Sequence, residues 1–181
     1  MRWTTRPETA GDRDAVRATV AAAFPTPAEA DLVDALRADP AWIPDLSIVA
    51  EPAEPAESAG PAEGGVAAYA LVTRCRVGGD AALALAPVAV LPRWQRRGGG
   101  GAAVRAALDA AAARAATGRG ERLVVVLGHP EYYPRFGFVR ASSLGVSVRF
   151  PVPDEALMAL VLDGPGEVPS GTVEYPAPFG V

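Results

Sequence analysis

The chain has no lysine and no asparagine; all 17 of its basic residues are arginine. The excess of Ala, Gly, Pro and Arg matches the codon bias of a GC-rich genome, but it has chemical consequences. A Schiff-base lysine and the lysine of a phosphate-binding P-loop are both excluded. There is one cysteine, Cys75, and one histidine, His129. Neither an internal disulfide nor a Cys/His metal cluster can form from these, so no metal is expected and a reducing, cytoplasmic setting is. No apolar run approaches the roughly 20 residues of a membrane span. The opening MRWTTRPETAGDRD lacks the apolar core of a secretory signal. The formal net charge of −4 argues against a nucleic-acid partner, because such domains present a basic face.

What is present fits one domain over residues 1–181, with half of the residues apolar and enough chain for a sizeable core. Met1–Arg6 reads as a strand. A helix starts near Thr9, with Val16, Thr19, Val20 and Ala23 at helical spacing, and breaks at Pro25 and Pro27. A second helix runs from about Pro27 to Pro40. Leu46–Glu51 reads as a strand, and 52–65 as an exposed loop of low complexity rich in Pro, Ala and Glu. Val66–Arg74 and Leu83–Leu91 are strands joined by a turn at Arg76–Asp80. A helix over Ala102–Ala116 follows, then a strand at Arg122–Leu127 whose unbroken apolar run implies burial on both faces. Glu131–Arg135 is a short helix at most. Phe136–Arg140 and Gly145–Phe150 are expected to close a hairpin. Asp154–Asp163 starts helical and passes into a strand, and the Pro/Gly-rich tail 164–181 wraps the surface. The order implies an α/β (α+β) fold with a mixed, mostly antiparallel sheet and a single β-α-β crossover.

The stretch Leu83–Ala116 organises the rest. An apolar strand stops at Pro92, passes through Arg93-Trp94-Gln95-Arg96-Arg97, and reaches four glycines, Gly98–Gly101, at the start of a helix. Glycines let a ligand approach the backbone, and the first N–H groups of a helix lack internal acceptors. With the helix dipole and two arginines beside them, a phosphate or pyrophosphate site is expected. Three designs could supply it. The P-loop fails for want of lysine. The dinucleotide pattern GxGxxA fits Gly98–Ala103, but a glycine run satisfies many patterns, and no acid ends the next strand at Leu127-Gly128-His129. The third, Q/R-x-x-G-x-G/A, is met by Gln95-Arg96-Arg97-Gly98-Gly99-Gly100.

That third pattern resembles the pyrophosphate loop of the GNAT superfamily of N-acetyltransferases. Glu131-Tyr132-Tyr133-Pro134-Arg135-Phe136-Gly137-Phe138 likewise resembles the superfamily's Y-x-x-x-G-F signature. LVDALRAD, LAPVAVLPRWQRRGGGGAAV, VVVLGHPEYYPRFGFVRAS and PVPDEALMAL look like the bacterial YhbS-like subgroup, so the resemblance runs from the first strand to about Leu162. It implies a central strand splayed from its neighbour into a V-shaped cleft. The backbone of Val88, Ala89 and Val90 would hold the pantetheine arm of acetyl-CoA, and the loop from Gln95 through Arg96, Arg97, Gly98, Gly99, Gly100 and Gly101 to Ala102 would wrap its pyrophosphate. Either Val88 or Val90 would polarise the thioester carbonyl, and Tyr133 would protonate the departing thiolate. Tyr132 would pack or touch substrate.

Two departures stand out. Leu83-Ala84-Leu85-Ala86-Pro87 has no carboxylate where many relatives keep their general base, so Glu29, Glu131 or water would serve, or the amine would arrive neutral. The asparagine common before the tyrosine motif is replaced by Gly128-His129-Pro130, where His129 is a proton relay or simply a turn residue. Cys75 reads as a small buried residue. The implied activity is acetyl transfer from acetyl-CoA to a primary amine by direct attack in a ternary complex. The alternative is a binding module that keeps the cofactor and has lost catalysis. The acceptor, a small molecule or peptide, would sit between the N-terminal helices and the C-terminal hairpin. A homodimer is left open.

Overall fold

Breaks in hydrophobic periodicity set the element boundaries in the computed structural model, which describes residues 1–53 and 65–181. The expected low-complexity loop therefore lies, over 54–64, outside the described residues. In chain order the elements are β1 (Trp3–Pro7), α1 (Arg13–Ala23), α2 (Ala28–Arg37), β2 (Ser47–Pro52), β3 (Ala68–Val77), β4 (Asp80–Val90), α3 (Gly99–Ala116), β5 (Leu123–Leu127), β6 (Val139–Arg140), β7 (Val146–Ser147), β8 (Leu157–Val161) and β9 (Gly171–Glu174). Short 3-10 turns join several of them. The sheet runs β1-β2-β3-β4-β5-β8-β6. Its one parallel pairing on that path is β4 with β5, across the α3 crossover.

Strand alternation sorts the core onto two faces. Ala68, Ala70 and Val72 of β3 point to α3, where Ala103, Val104, Ala107, Leu108 and Ala111 bring the helix close to the sheet. Tyr69 and Leu71 point the other way, to Val16, Val20, Val33 and Leu36 of α1 and α2. Leu36 is completely buried, so its truncation to alanine would cost about 2–5 kcal/mol. A buried polar cluster fixes α2 to the sheet. Arg37 Nε donates to Glu8 Oε1 at 2.8 Å, while Ser47 Oγ donates to Glu8 Oε2 at 2.5 Å and lies 2.8 Å from the Tyr69 hydroxyl. Arg37 Nη2 also lies 2.7 Å from Glu8 Oε1, close enough for ion pairing though off the line of a hydrogen bond. At the start of α1, the Thr9 amide donates to Asp12 at 2.8 Å, and Arg6 holds the same carboxylate well below the usual range.

Two expectations are corrected. The hairpin from Phe136–Arg140 to Gly145–Phe150 does not form. β6 pairs instead with β8, and β7 pairs in parallel with β9. Each is only two residues long, and β8 offers the longer ladder by pairing with all of β5. The tail is more than a surface wrap, because β9 adds to β3 at Arg76↔Glu174 and Val77↔Val173. The expected helical start and strand at Asp154–Asp163 is observed as a 3-10 turn at Asp154–Ala156 leading into β8.

Candidate functional site

β4 and β5 part company. They pair only at Leu83↔Val124 and Ala84↔Val125, while β4 continues to Val90 and β5 stays with β8 as far as Leu127. The cause lies on the other edge of β4. Between Ala70↔Val88 and Val72↔Leu85 the register slips, so three steps on β4 oppose two on β3. Such a bulge bends its strand and re-aims the residues after it. The Arg74 amide donates to Ala41, away from β4, so by alternation Leu83 and Leu85 face β5. The Leu91 amide donates to Ala67, on the β3 side, so Ala89 also faces β3 while Val88 and Val90 face the opening. The bulge thus turns the main chain of Val88 and Val90 into the cleft, on a strand edge that pairs with no strand among the described residues. Ala89, expected with them, is directed into the ladder instead, and its side chain packs toward α1 and α2.

The loop beyond β4 is held open. Arg96 has φ of +59° and Gly98 φ of +94°, flanking a residue of ordinary φ. Alternation of this kind gathers successive N–H groups into an anion-binding hollow. Among the described residues, none of the amides from Arg96 to Gly101 donates a hydrogen bond within the protein. The amide of Ala102 differs, because it donates to Gly98 O at 2.9 Å inside the helix. Side chains also crowd this loop. A Cβ at Gly99 would lie 2.8 Å from the Trp3 ring, and one at Gly100 would lie 2.8 Å from Val90 Cγ2. Trp3 Nε1 donates to Arg97 O at 2.9 Å, and its ring meets Trp94 edge-on at 5.8 Å. Arg97 stacks over Trp94 at 5.4 Å, and Gln95 Nε2 reaches Val90 O at 3.4 Å.

These parts line one cleft of about 640 Å³. Val88 and Val90 form one wall and Gln95, Arg96 and Gly98–Gly101 its end, with Tyr132 and Tyr133 opposite. Arg105 and Arg135 stand at the same end. Arg105 Nη2 would be 3.2 Å from a Cβ on Gly101, and Arg135 stacks on Tyr132 at 4.5 Å. Tyr133 is 8% exposed, and its phenol is pushed up to about 12 by burial, with the neighbouring Tyr132 adding to it. Its ring sits edge-on to Tyr132 and Phe138 at 5.1 and 5.8 Å. Gly128 is required beneath it, since a Cβ there would lie 2.4 Å from Tyr133 Cε2.

A second, smaller cleft of about 290 Å³ opens from the first and shares Phe24, Val88, His129 and Tyr133 with it. Glu29 of α2 lines this smaller cleft. Glu131 lines neither and is exposed. Cys75 pairs with Ala82, at the end of β4 away from the cleft, and lines a separate hollow with Arg74 and Glu174. Its thiol is pushed up to about 12 by burial and by Glu121. Among the described residues no group of His, Cys, Asp or Glu is arranged to hold a metal, and no helix is long and apolar enough to cross a membrane.

Trp3 and Phe24 are cleft-building residues that local reading misses, since each arrives through a long-range contact, whereas Arg135 is held locally by Tyr132 and Glu131. Arg105 had a signal, because it follows Gly101 by four residues and so shares its helix face.

No protein-family model matches the chain. The protein named "Uncharacterized N-acetyltransferase YjhQ" from Escherichia coli K12 is 34% identical over 149 residues, which span 80% of this chain and 74% of that protein. Among solved structures, the GNAT family N-acetyltransferase YhbS from Escherichia coli, in complex with CoA, matches with a TM-score of 0.82 and 28% identity over 100% of this chain and 93% of that one. A GNAT family acetyltransferase from Brucella melitensis, in complex with acetyl-CoA, matches with a TM-score of 0.72 and 28% identity over 98% of each chain.

Proposed function

The chain belongs to the GNAT family of N-acetyltransferases, and on that premise we propose that it moves the acetyl group of acetyl-CoA to a primary amine held beside it. The observation that carries this reading is the set of unengaged amides from Arg96 to Gly101, in one cleft with the open edge of β4 and the Tyr133 phenol. A diphosphate suits that hollow, because the amides from Arg96 to Gly101, at a helix start, have no hydrogen-bond partner among the described residues. Arg96 adds charge, and Arg105 and Arg135 extend it along the far side of the loop. The main chain of Val88 and Val90 suits an amide-bearing arm laid alongside as an added strand.

Acetyl-CoA supplies an acetyl group activated as a thioester. The remaining chemistry falls to the chain. Val88 borders both clefts, so its N–H is the donor assigned to the carbonyl oxygen, where negative charge develops as the amine attacks. The Tyr133 hydroxyl donates its proton to sulfur as the carbon–sulfur bond breaks. With its proton held up to about 12, it is protonated throughout the neutral range, as an acid must be. The nitrogen gives up one proton on becoming an amide, which restores the phenol through water, so the transfer is balanced. Any further proton on an ammonium leaves before attack.

Two measurements test this. Calorimetry with CoA should show binding that is lost with NAD(P)H. A thiol-release assay with acetyl-CoA over a panel of primary amines should show turnover. An absence of CoA binding would remove the whole reading; binding without turnover of any amine would leave a module that only carries the cofactor.

A further inference from the structure

Charge is divided between the two arms of the site. Among the described residues, the larger cleft is lined by Arg96, Arg105 and Arg135 and by no carboxylate. The smaller one is lined by Glu29 and by no arginine; its other walls include Leu32, Leu85, Pro87 and Leu127. Glu29 forms no salt bridge among the described residues, and its Oε2 is closed off from solvent with no hydrogen-bond partner there. A carboxylate pressed against an apolar wall is costly unless a cation meets it. Yet Asp31 and Asp34 on the same helix are both paired, through Arg17 and, for Asp34, Arg37 as well. Helix α2 is itself pinned by the buried Arg37–Glu8 contact, which fixes where its first turn presents Glu29.

We propose that Glu29 is the acceptor-binding residue, and that the smaller cleft takes a compact amine, carried as a single ammonium on an apolar body. This rests on the acetyltransferase reading above. The volume, about 290 Å³, is just below the roughly 300–1,000 Å³ of small-molecule pockets, so a small molecule is favoured over a peptide. An ammonium salt-bridged to Glu29 lies in the arm that opens at Val88 and Tyr133, where its nitrogen must go to react. The absence of any arginine from this arm also sets the selectivity. An amino acid would bring a second carboxylate beside Glu29 in an arm whose basic lining, among the described residues, is His129 alone, and is disfavoured.

The probe is phenethylamine, titrated calorimetrically at pH 7.5 into protein saturated with CoA. Phenylalanine serves as the comparison, and Glu29→Gln as the variant. Phenethylamine is expected to bind the parent at least tenfold more tightly than phenylalanine does, and Glu29→Gln to weaken it at least tenfold and shrink the gap between the two. CoA affinity should be the same in parent and variant, which shows that the variant is folded. In turnover, the variant's KM for phenethylamine should rise more than its kcat falls, and Glu29→Asp should recover part of the loss. Equal phenethylamine affinity in parent and variant, a preference for phenylalanine, or no amine binding to the CoA-saturated protein would each overturn the proposal. All three leave the cofactor reading standing, which falls only if CoA itself fails to bind.

Discussion

Trp3 makes four sequence-distant contacts with one side chain, and its replacement isolates what holds the loop proposed to bind the diphosphate. Its indole N–H donates to Arg97 O at 2.9 Å, its ring is edge-on to Trp94, and Gly98 and Gly99 lie against its face. Trp3→Phe keeps an aromatic ring and removes the hydrogen bond. A net hydrogen bond is worth about 0.5–1.5 kcal/mol, and at 1.4 kcal/mol per tenfold this is roughly a two- to twelvefold loss of CoA affinity. The bond is partly solvent-exposed, so water replaces some of it and the lower half of that range is expected. Trp3→Ala also removes the aromatic pair, about 0.5–1.5 kcal/mol more, and takes the loss to between about fivefold and sixtyfold. Calorimetric titration with CoA reads both. At saturating acetyl-CoA the turnover rate should change by less than about twofold, because Trp3 borders no reacting atom and preorganisation enters the binding step. If Trp3→Phe binds CoA as the parent does, the loop keeps its shape without Trp3 and this reasoning fails.

Other perturbations separate the remaining roles. Tyr133→Phe should slow thiol release by roughly 10²- to 10⁴-fold, the usual range for a general acid, with CoA affinity nearly unchanged; equal rates would remove Tyr133 from the chemistry. Because its folded-state proton is held up to about 12, above the ordinary value near 10, the parent's rate should show no falling limb between pH 8 and 10. Gly128→Ala sets a methyl 2.4 Å from the Tyr133 ring and should cut turnover by tenfold or more; combined with Tyr133→Phe it should add little, and full additivity in the double-mutant cycle would refute that coupling. Arg37→Met strands the buried Glu8 carboxylate and should lower unfolding free energy by about 3–5 kcal/mol in urea titration. Arg105→Gln and Arg135→Gln should each weaken CoA several-fold at low salt and converge with the parent at 0.5 M salt, where surface charges are screened.

The parts legible in the sequence were those written locally. Gly98–Gly101 after a strand stop marked a candidate anion site, and the apolar run at Arg122–Leu127 marked a strand buried on both faces, as Leu123–Val126 are. Long-range geometry was not legible. The tail strand β9 carries Gly171 and is bordered by prolines, so its pattern reads as loop; what makes it a strand is the free edge of β3 near Val77. The expected hairpin failed for the converse reason, since two plausible short strands lost their pairing to β8. At the site, residue type pointed to Ala89 as readily as to Val88. Only the slipped register separates them, because strand residues differ in facing by a single step.

That register slip is where the fold becomes a site. Had β4 continued its alternation from Leu85, residue 88 would have aimed its amide at β3 and the cleft would have met the main chain of residues 87 and 89. Residue 87 is a proline and has no N–H to offer. The extra residue therefore achieves three things together. It bends β4 from β5, it brings Val88 and Val90 round to the opening, and it consumes the position without a donor. It also explains how a strand carrying no carboxylate can still serve a reaction in which charge develops on oxygen. In the proposed mechanism the strand would contribute an amide at Val88, the turn after β5 the phenol of Tyr133, and a separate helix, at Glu29, the negative charge that meets the acceptor. With the proposed acid and anion on separate elements, Tyr133→Phe and Glu29→Gln each remove one of them alone, which makes the division of labour measurable.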